Sequence, residues 1–469
     1  MMKKIKILIV SLTVALAITL SVVFVNSFSA LSNVGSEGLT YHLSDDGTYY
    51  IVSNYNNGLK DVDLVIPEAH NGLPVKEIAV EGFAERKWIK SVSIPKTIVK
   101  IGHGAFSQTG ITKVYYNAEE VQDFDTRNWV FYPNTTSKTE IEVTIGKDVK
   151  KIPNRLFYPL STIPTLNPTV TKITFEEGTK VSEIGDYAFY NIDDAVTIEF
   201  PSSLKTIGEY AFYGNNFTTI KFNNGLTEIK AHAFDNSKQV TELTLPSSIN
   251  KVGNGAFRNC LKLTKFTSIA SNYTVINRDT FKYCTELKEV SINNAVEIGE
   301  SAFEGCTSLT SYEFTNVKKI GERAFKDCSG LTEIVLNASL ESIGDKAFYE
   351  CVNVSDIIIK SSKLADLNAN NNAFYNCGFN TTGVKVTVEN GVVSLPKRLF
   401  LATSDITKLP NIKEIVINSS TLTTIDDYAF GYIDAQVTYV GTKTMWSNVK
   451  VNIGNNCFAK VNCVKSLEV

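Results

Sequence analysis

Apolar residues return along this chain in one phrase: an aliphatic residue, often glycine, two variable positions, a small residue and phenylalanine. It reads Ile101-Gly102-His103-Gly104-Ala105-Phe106 and ends again at Phe189, Phe212, Phe234, Phe257, Phe281, Phe303, Phe325 and Phe348. Looser copies end at Phe83, Phe157, Phe374, Phe400, Phe430 and Phe458. From Phe189 to Phe348 the steps are 23, 22, 23, 24, 22, 22 and 23 residues. That period is too short for helical-pair repeats or propeller blades and fits a solenoid of small coils.

The unit Leu331–Phe348 shows what one coil holds. Ile334 and Leu336 alternate with Glu333 and Val335, which predicts a strand with one buried face. Leu340, Ile343, Ala347 and Phe348 supply inward residues on the return path. Gly344 suits a position where a side chain would clash or φ must be positive. A single coil cannot bury its apolar edge, but stacked coils bury a continuous spine with one phenylalanine each. Strands then align in a parallel column, with right-handed crossovers expected.

The consensus Leu-x-x-Ile-x-Ile-Pro-x-Ser-Leu-x-x-Ile-Gly-x-x-Ala-Phe-x-x-Cys resembles the BspA-like (Treponema pallidum-type) leucine-rich repeat family over nearly all of the chain after residue 30. The N-terminal stretch Tyr41 to Tyr50, with Leu64-Val65-Ile66-Pro67 and Asn71-Gly72-Leu73-Pro74-Val75, is similar to that family's first module. Val437 to Thr442 followed by Trp446 is similar to its terminal module, so Phe458 belongs either to a cap or to a coil. Two coils, ending at Phe157 and Phe400, carry proline for glycine and leucine for alanine. The expected fold is a leucine-rich repeat solenoid of the α/β horseshoe class, β-rich. It is a right-handed stack of ~23-residue coils with a parallel sheet face and short helical or irregular returns. The expected organisation is 1–29 signal peptide or anchor, 30–72 N-terminal cap, 73–434 repeats and 435–469 C-terminal cap. The repeats hold insertions at 116–140, 158–170 and 378–384. The resemblance implies a secreted or cell-surface protein that binds other proteins, adhesin-like, with extracellular-matrix or surface proteins as partners.

Composition narrows this only a little. Of 469 residues, 46 are Lys or Arg and 49 Asp or Glu, which offers no basic footprint for nucleic acid. Lys3, Lys4 and Lys6 precede an uncharged stretch from Ile7 to Val25, then Ser27, Ser29 and Ala30. That is the order of a secretory signal peptide, though its length also suits an uncleaved membrane anchor, the one membrane contact expected. No catalytic constellation or cofactor loop is legible, and neither an enzyme nor a cofactor is expected.

Candidate chemistry lies in columns. Cys260, Cys284, Cys306, Cys328, Cys351 and Cys377 each stand three residues after the spine phenylalanine, reading as a buried thiol ladder. Cys457 and Cys463 lie outside it and are placed to pair with each other. His103 and His232 occupy variable positions and read as exposed filler. The outward strand positions define a candidate binding face. One row holds Glu242, Glu289, Glu333, Asp356 and Glu414; the next holds Glu199, Lys221, Glu313, Val335 and Ile358. It is acidic at its edge, partly apolar, and diluted by Lys172, Lys221 and Lys265. In the 116–140 segment, Trp129 and Tyr132 are candidate loop anchors, with packing over an irregular coil as the alternative. Two other readings stay open: an envelope spacer without a ligand, and a glycan-binding accessory module on Trp129 and Tyr132.

Overall fold

The computed structural model describes residues 34–125, 129–132, 140–158, 169–191, 197–312, 315–401 and 408–464. The chain forms two compact units, residues 1–195 and 196–469. Each is a stack of parallel β-coils.

In the first unit, Asp63–Val65, Ser91–Ile94, Lys113–Tyr116, Glu140–Ile145 and Thr169–Phe175 pair in parallel, in chain order. The N-terminal end is closed by antiparallel pairs, Thr40–Leu43 with Tyr50–Ser53 and Ala69–His70 with Leu73–Ile78. Ser36 covers the outer edge of the first parallel strand: its N–H donates to the Val65 carbonyl at 3.0 Å. In the second unit a parallel column of its own includes Glu242–Leu245, Lys265–Ser268 and Glu289–Ile292. It resumes with Glu333–Leu336, Asp356–Ile359, Val384–Val388, Ile412–Ile417, Gln436–Val440 and Val461–Val464. Alternation works as read: Ile334 and Leu336 are fully buried, Glu333 exposed and Val335 half-buried.

A second ladder runs beside the first. Ile343, read as an inward residue of a return, sits in Ser342–Ile343, paired in parallel with Lys319–Ile320 of the preceding coil. Glu297–Ile298 and Val275–Ile276 continue that ladder. Two-residue strands carry no period-2 signature, so only stacking reveals them.

The returns are tight turns, and the described helices are confined to the C-terminal end, at Lys443–Trp446 and Asn456–Ala459. Most turns use two left-handed residues, one before the small residue and one two after the phenylalanine. In the coil of Phe348 these are Lys346 (φ 55°) and Glu350 (φ 58°); in that of Phe325, Arg323 (φ 54°) and Asp327 (φ 59°). Gly344 serves a different need. A Cβ there would lie 2.4 Å from the Glu322 nitrogen of the previous coil, so glycine admits backbone against backbone.

The spine stacks ring on ring. In the first unit Phe83, Phe106, Phe131, Phe157 and Phe189 follow one another at centroid spacings of 5.0–5.6 Å. In the second, Phe281, Phe303, Phe325 and Phe348 stand 5.2–5.3 Å apart and within 15° of parallel. Phe131 corrects the reading of 116–140 as an insertion. The segment carries the return of the coil that begins on Lys113–Tyr116, with Phe131 at 6% exposure and the Phe106 N–H donating to the Val130 carbonyl at 2.9 Å. Its phrase lacks both glycine and alanine, which hid it. Phe458 packs edge-on against Phe430 at 5.3 Å and is buried, and Val461–Val464 extends the ladder past it.

Candidate functional site

The outward strand rows are held in place by the pairing register. Parallel strands put the same repeat position of neighbouring coils side by side, roughly 4.8 Å apart. Glu242, Lys265 and Glu289 are consecutive members of one row. Lys265 Nζ lies 2.8 Å from a Glu289 carboxylate oxygen. The hydrogen bond and charge of Lys265 hold the Glu289 carboxyl below its ordinary range. Glu199 sits opposite Lys221 with a 3.1 Å ion pair. Glu333, Asp356, Lys385 and Glu414 form another run, with Lys385 Nζ 3.7 Å from Glu414. In the first unit Glu142 stands between Lys113 and Lys172. Lysines therefore interrupt the expected acidic edge, although Glu333 and Asp356 remain neighbours. Such exposed pairs are screened by solvent and add little to stability.

The neighbouring row changes character along the second unit. Val335, Ile358, Thr387, Val416 and Thr438 are successive partners on five strands. Val335, Ile358, Thr387 and Thr438 are half-buried, and Val416 is buried. These aliphatic and hydroxyl side chains form a continuous, weakly polar strip beside the charged row. Glu313 lies outside the described residues.

The turn side carries a second set of contacts that the strand-based reading missed. Asp235 is wholly buried and accepts from Arg258 Nε at 2.9 Å and Asn259 Nδ2 at 3.1 Å. His232 Nδ1 lies 3.0 Å from the same carboxylate, and the His232 ring stacks on Tyr210 at 4.7 Å. His232 is thus a half-buried structural residue and not exposed filler, while His103 is exposed. Farther along, Glu304 lies between Lys282 at 3.0 Å and Lys326 at 3.3 Å. Burial pushes the Glu304 carboxyl up, but hydrogen bonds from Ser301 and Lys282 outweigh it and hold the group below its ordinary range. Asp235, Arg258, Lys282, Glu304 and Lys326 all occupy the position after the spine phenylalanine. Opposite charges at that position in consecutive repeats were the available signal.

The cysteine column is a hydrogen-bonded ladder. All six members are buried free thiols. Cys284, Cys306, Cys328 and Cys351 each donate to the carbonyl of the preceding coil's phenylalanine at 3.1–3.2 Å. Burial pushes the Cys306 and Cys351 thiols far above their ordinary range. Cys457 and Cys463 are free and half-exposed, so the pairing considered for them is not formed. They sit on different elements, Asn456–Ala459 and Val461–Val464. Trp129 is 45% exposed and Tyr132 half-buried, their rings 5.6 Å apart. Among the described residues no group of His, Cys, Asp and Glu is arranged to hold a metal ion.

Coils of 22–24 residues, a parallel strand column and a phenylalanine spine define a leucine-rich repeat solenoid, a class built for protein–protein interaction. The chain belongs to the family described as the BspA type leucine-rich repeat region, whose model matches residues 64–167, 165–288, 265–381 and 367–465. Three solved structures illustrate the likeness. The pneumococcal vaccine antigen PcpA is 22% identical, covering 93% of this chain and 98% of its own, with a TM-score of 0.41. A leucine-rich cell surface protein of Faecalibacterium prausnitzii A2-165 is 19% identical, covering 89% and 97%, at 0.38. A leucine-rich repeat protein of Bacteroides ovatus ATCC 8483 is 22% identical, covering 69% and 93%, at 0.40. No curated protein matches the chain.

Proposed function

We propose that this is an exported, surface-associated interaction protein that binds a protein ligand through the outward sheet face of its second unit. The observation that carries the reading is the Val335–Ile358–Thr387–Val416–Thr438 strip, which the register aligns beside Glu333, Asp356, Lys385 and Glu414. An apolar centre with a charged rim is the usual anatomy of a protein interface. An adhesin role toward extracellular-matrix or host surface proteins, and export directed by residues 1–29, belong to the same proposal. The segment 1–29 itself lies outside the described residues.

The test is binding of the protein to an array of matrix and surface proteins, followed by variants. Val335→Glu with Ile358→Glu should abolish capture of whichever protein the array returns, at unchanged thermal stability. Glu289→Ala, Glu333→Ala and Asp356→Ala together should alter on-rate and salt dependence more than off-rate. Asp345 and Lys346, on the turn side, should tolerate change. Loss of binding from the turn-side variant alone would place the ligand elsewhere. One observation favours the spacer reading for the charged row: Lys265 pairs with Glu289 and Lys385 with Glu414 inside the row itself. An array that returns no ligand would extend that reading to the whole face.

A further inference from the structure

A cavity of about 260 Å³ opens where the repeat phrase breaks. In regular coils a glycine brings one coil's backbone against the previous one, as Gly102 does against Val80 and Gly344 against Glu322. The coil ending at Phe131 has no such glycine. Gln122, Asp123, Phe124 and Asp125 stand in its place, and with Lys100, Ile101 and His103 of the preceding coil they line the cavity.

Ile101 is buried and Phe124 half-buried, so part of the wall is apolar. Gln122, Asp123, Asp125 and His103 are exposed and polar. Asp123 is fixed in place, one oxygen accepting from the Asn154 N–H at 2.9 Å and the other from Lys151 Nζ at 2.9 Å. A carboxylate so held keeps acceptor capacity for further donors. Outside the lining, His103 packs against Trp129, whose ring lies 5.1 Å from the imidazole. Trp129 packs on Tyr132 on another side and leaves 45% of its surface open.

We propose that this cavity binds a neutral pyranose unit of a glycan, in a site separate from the sheet face and independent of that reading. A pyranose has an apolar C–H face and a rim of hydroxyls. The open indole suits the face, and the fixed Asp123 carboxylate, Asp125 and the Gln122 carboxamide suit the hydroxyl donors. The charges in the wall are paired, Asp123 with Lys151 and Lys100 with Glu77, which favours a neutral sugar over a charged one.

Saturation-transfer NMR on the protein tests this, using methyl glycosides of glucose, galactose, mannose and N-acetylglucosamine. N-acetylneuraminic acid serves as the anionic probe and tetramethylammonium as the cationic one. At least one neutral glycoside should receive saturation. Trp129→Ala should weaken its binding at least ~10-fold, and Trp129→Phe less. Gln122→Ala should weaken it several-fold with no change in melting midpoint; it carries the test if Trp129→Ala proves unstable. Saturation of no neutral glycoside, a response confined to the anionic or cationic probe, or equal binding by Trp129→Ala and Gln122→Ala would overturn the proposal.

Discussion

Phe303→Ala is the sharpest test of how the stack is held together. Phe303 is fully buried, its ring 5.3 Å from Phe281 and 5.2 Å from Phe325, with Tyr312 at 5.7 Å. Removing the ring forfeits ~2 kcal/mol of transfer free energy for a buried aromatic side chain. It also leaves a void of roughly 100 Å³, worth ~2 kcal/mol at about 24 cal/mol per Å³ if the site does not collapse. Collapse is hindered because the coils above and below are tied to this one by their ladders: the Phe303 N–H donates to Ala324 and the Phe281 N–H to Ala302, both at 2.8 Å. The sum, ~4 kcal/mol, lies inside the range measured for Phe to Ala in cores. Phe303→Leu, which keeps most of the volume, should cost about a third as much. Contacts in a solenoid are between neighbours, so the loss should concentrate in the coils that hold Phe281, Phe303 and Phe325. The assay is denaturant unfolding followed by circular dichroism, with hydrogen exchange resolved by coil. Faster exchange should appear around residues 276–330 first. An unchanged midpoint, or faster exchange only in distant coils, would refute the spine as the source of stability.

Two further outcomes follow from the turn geometry and the thiols. Gly344→Ala should destabilise, because its Cβ would meet the Glu322 backbone nitrogen at 2.4 Å; Lys346→Gly, at φ 55°, should be neutral or stabilising by up to ~1 kcal/mol in thermal unfolding. Iodoacetamide should label Cys457 and Cys463 in the folded protein and the six column thiols only after unfolding, as read by mass spectrometry. Labelling at Cys457 should accelerate toward alkaline pH, since burial pushes its thiol up to about 11; rapid native labelling of Cys306 or Cys328 would contradict a closed column.

Much of the fold was legible because it is periodic. The recurring phenylalanine marks the spine, Ile334 and Leu336 against Glu333 mark the strand, and the cysteine spacing marks a column. Each is a relation between residues near in sequence or at one fixed step, and each matches the structure. The outward strand positions were legible, and so were the lysines among them, but not their pairing. Which lysine opposes which acid depends on register, as Lys265 between Glu242 and Glu289 shows.

The sequence by itself determined the class of fold, because a 22–24-residue phrase with one apolar edge has few ways to be buried other than stacking. Tertiary structure alone decided three things. It made Phe131 a vertebra of the spine, although its coil carries neither the glycine nor the alanine of the phrase. It drew two-residue segments such as Ser342–Ile343 into a second ladder, too short to leave a pattern. It buried Asp235 against Arg258 and Asn259 of the next coil, 23 and 24 residues away, partners that meet only when coils stack. The physical reason is common to all three. Alternation and period are written along the chain, whereas the contacts across coils arise from which surfaces the stacking presses together.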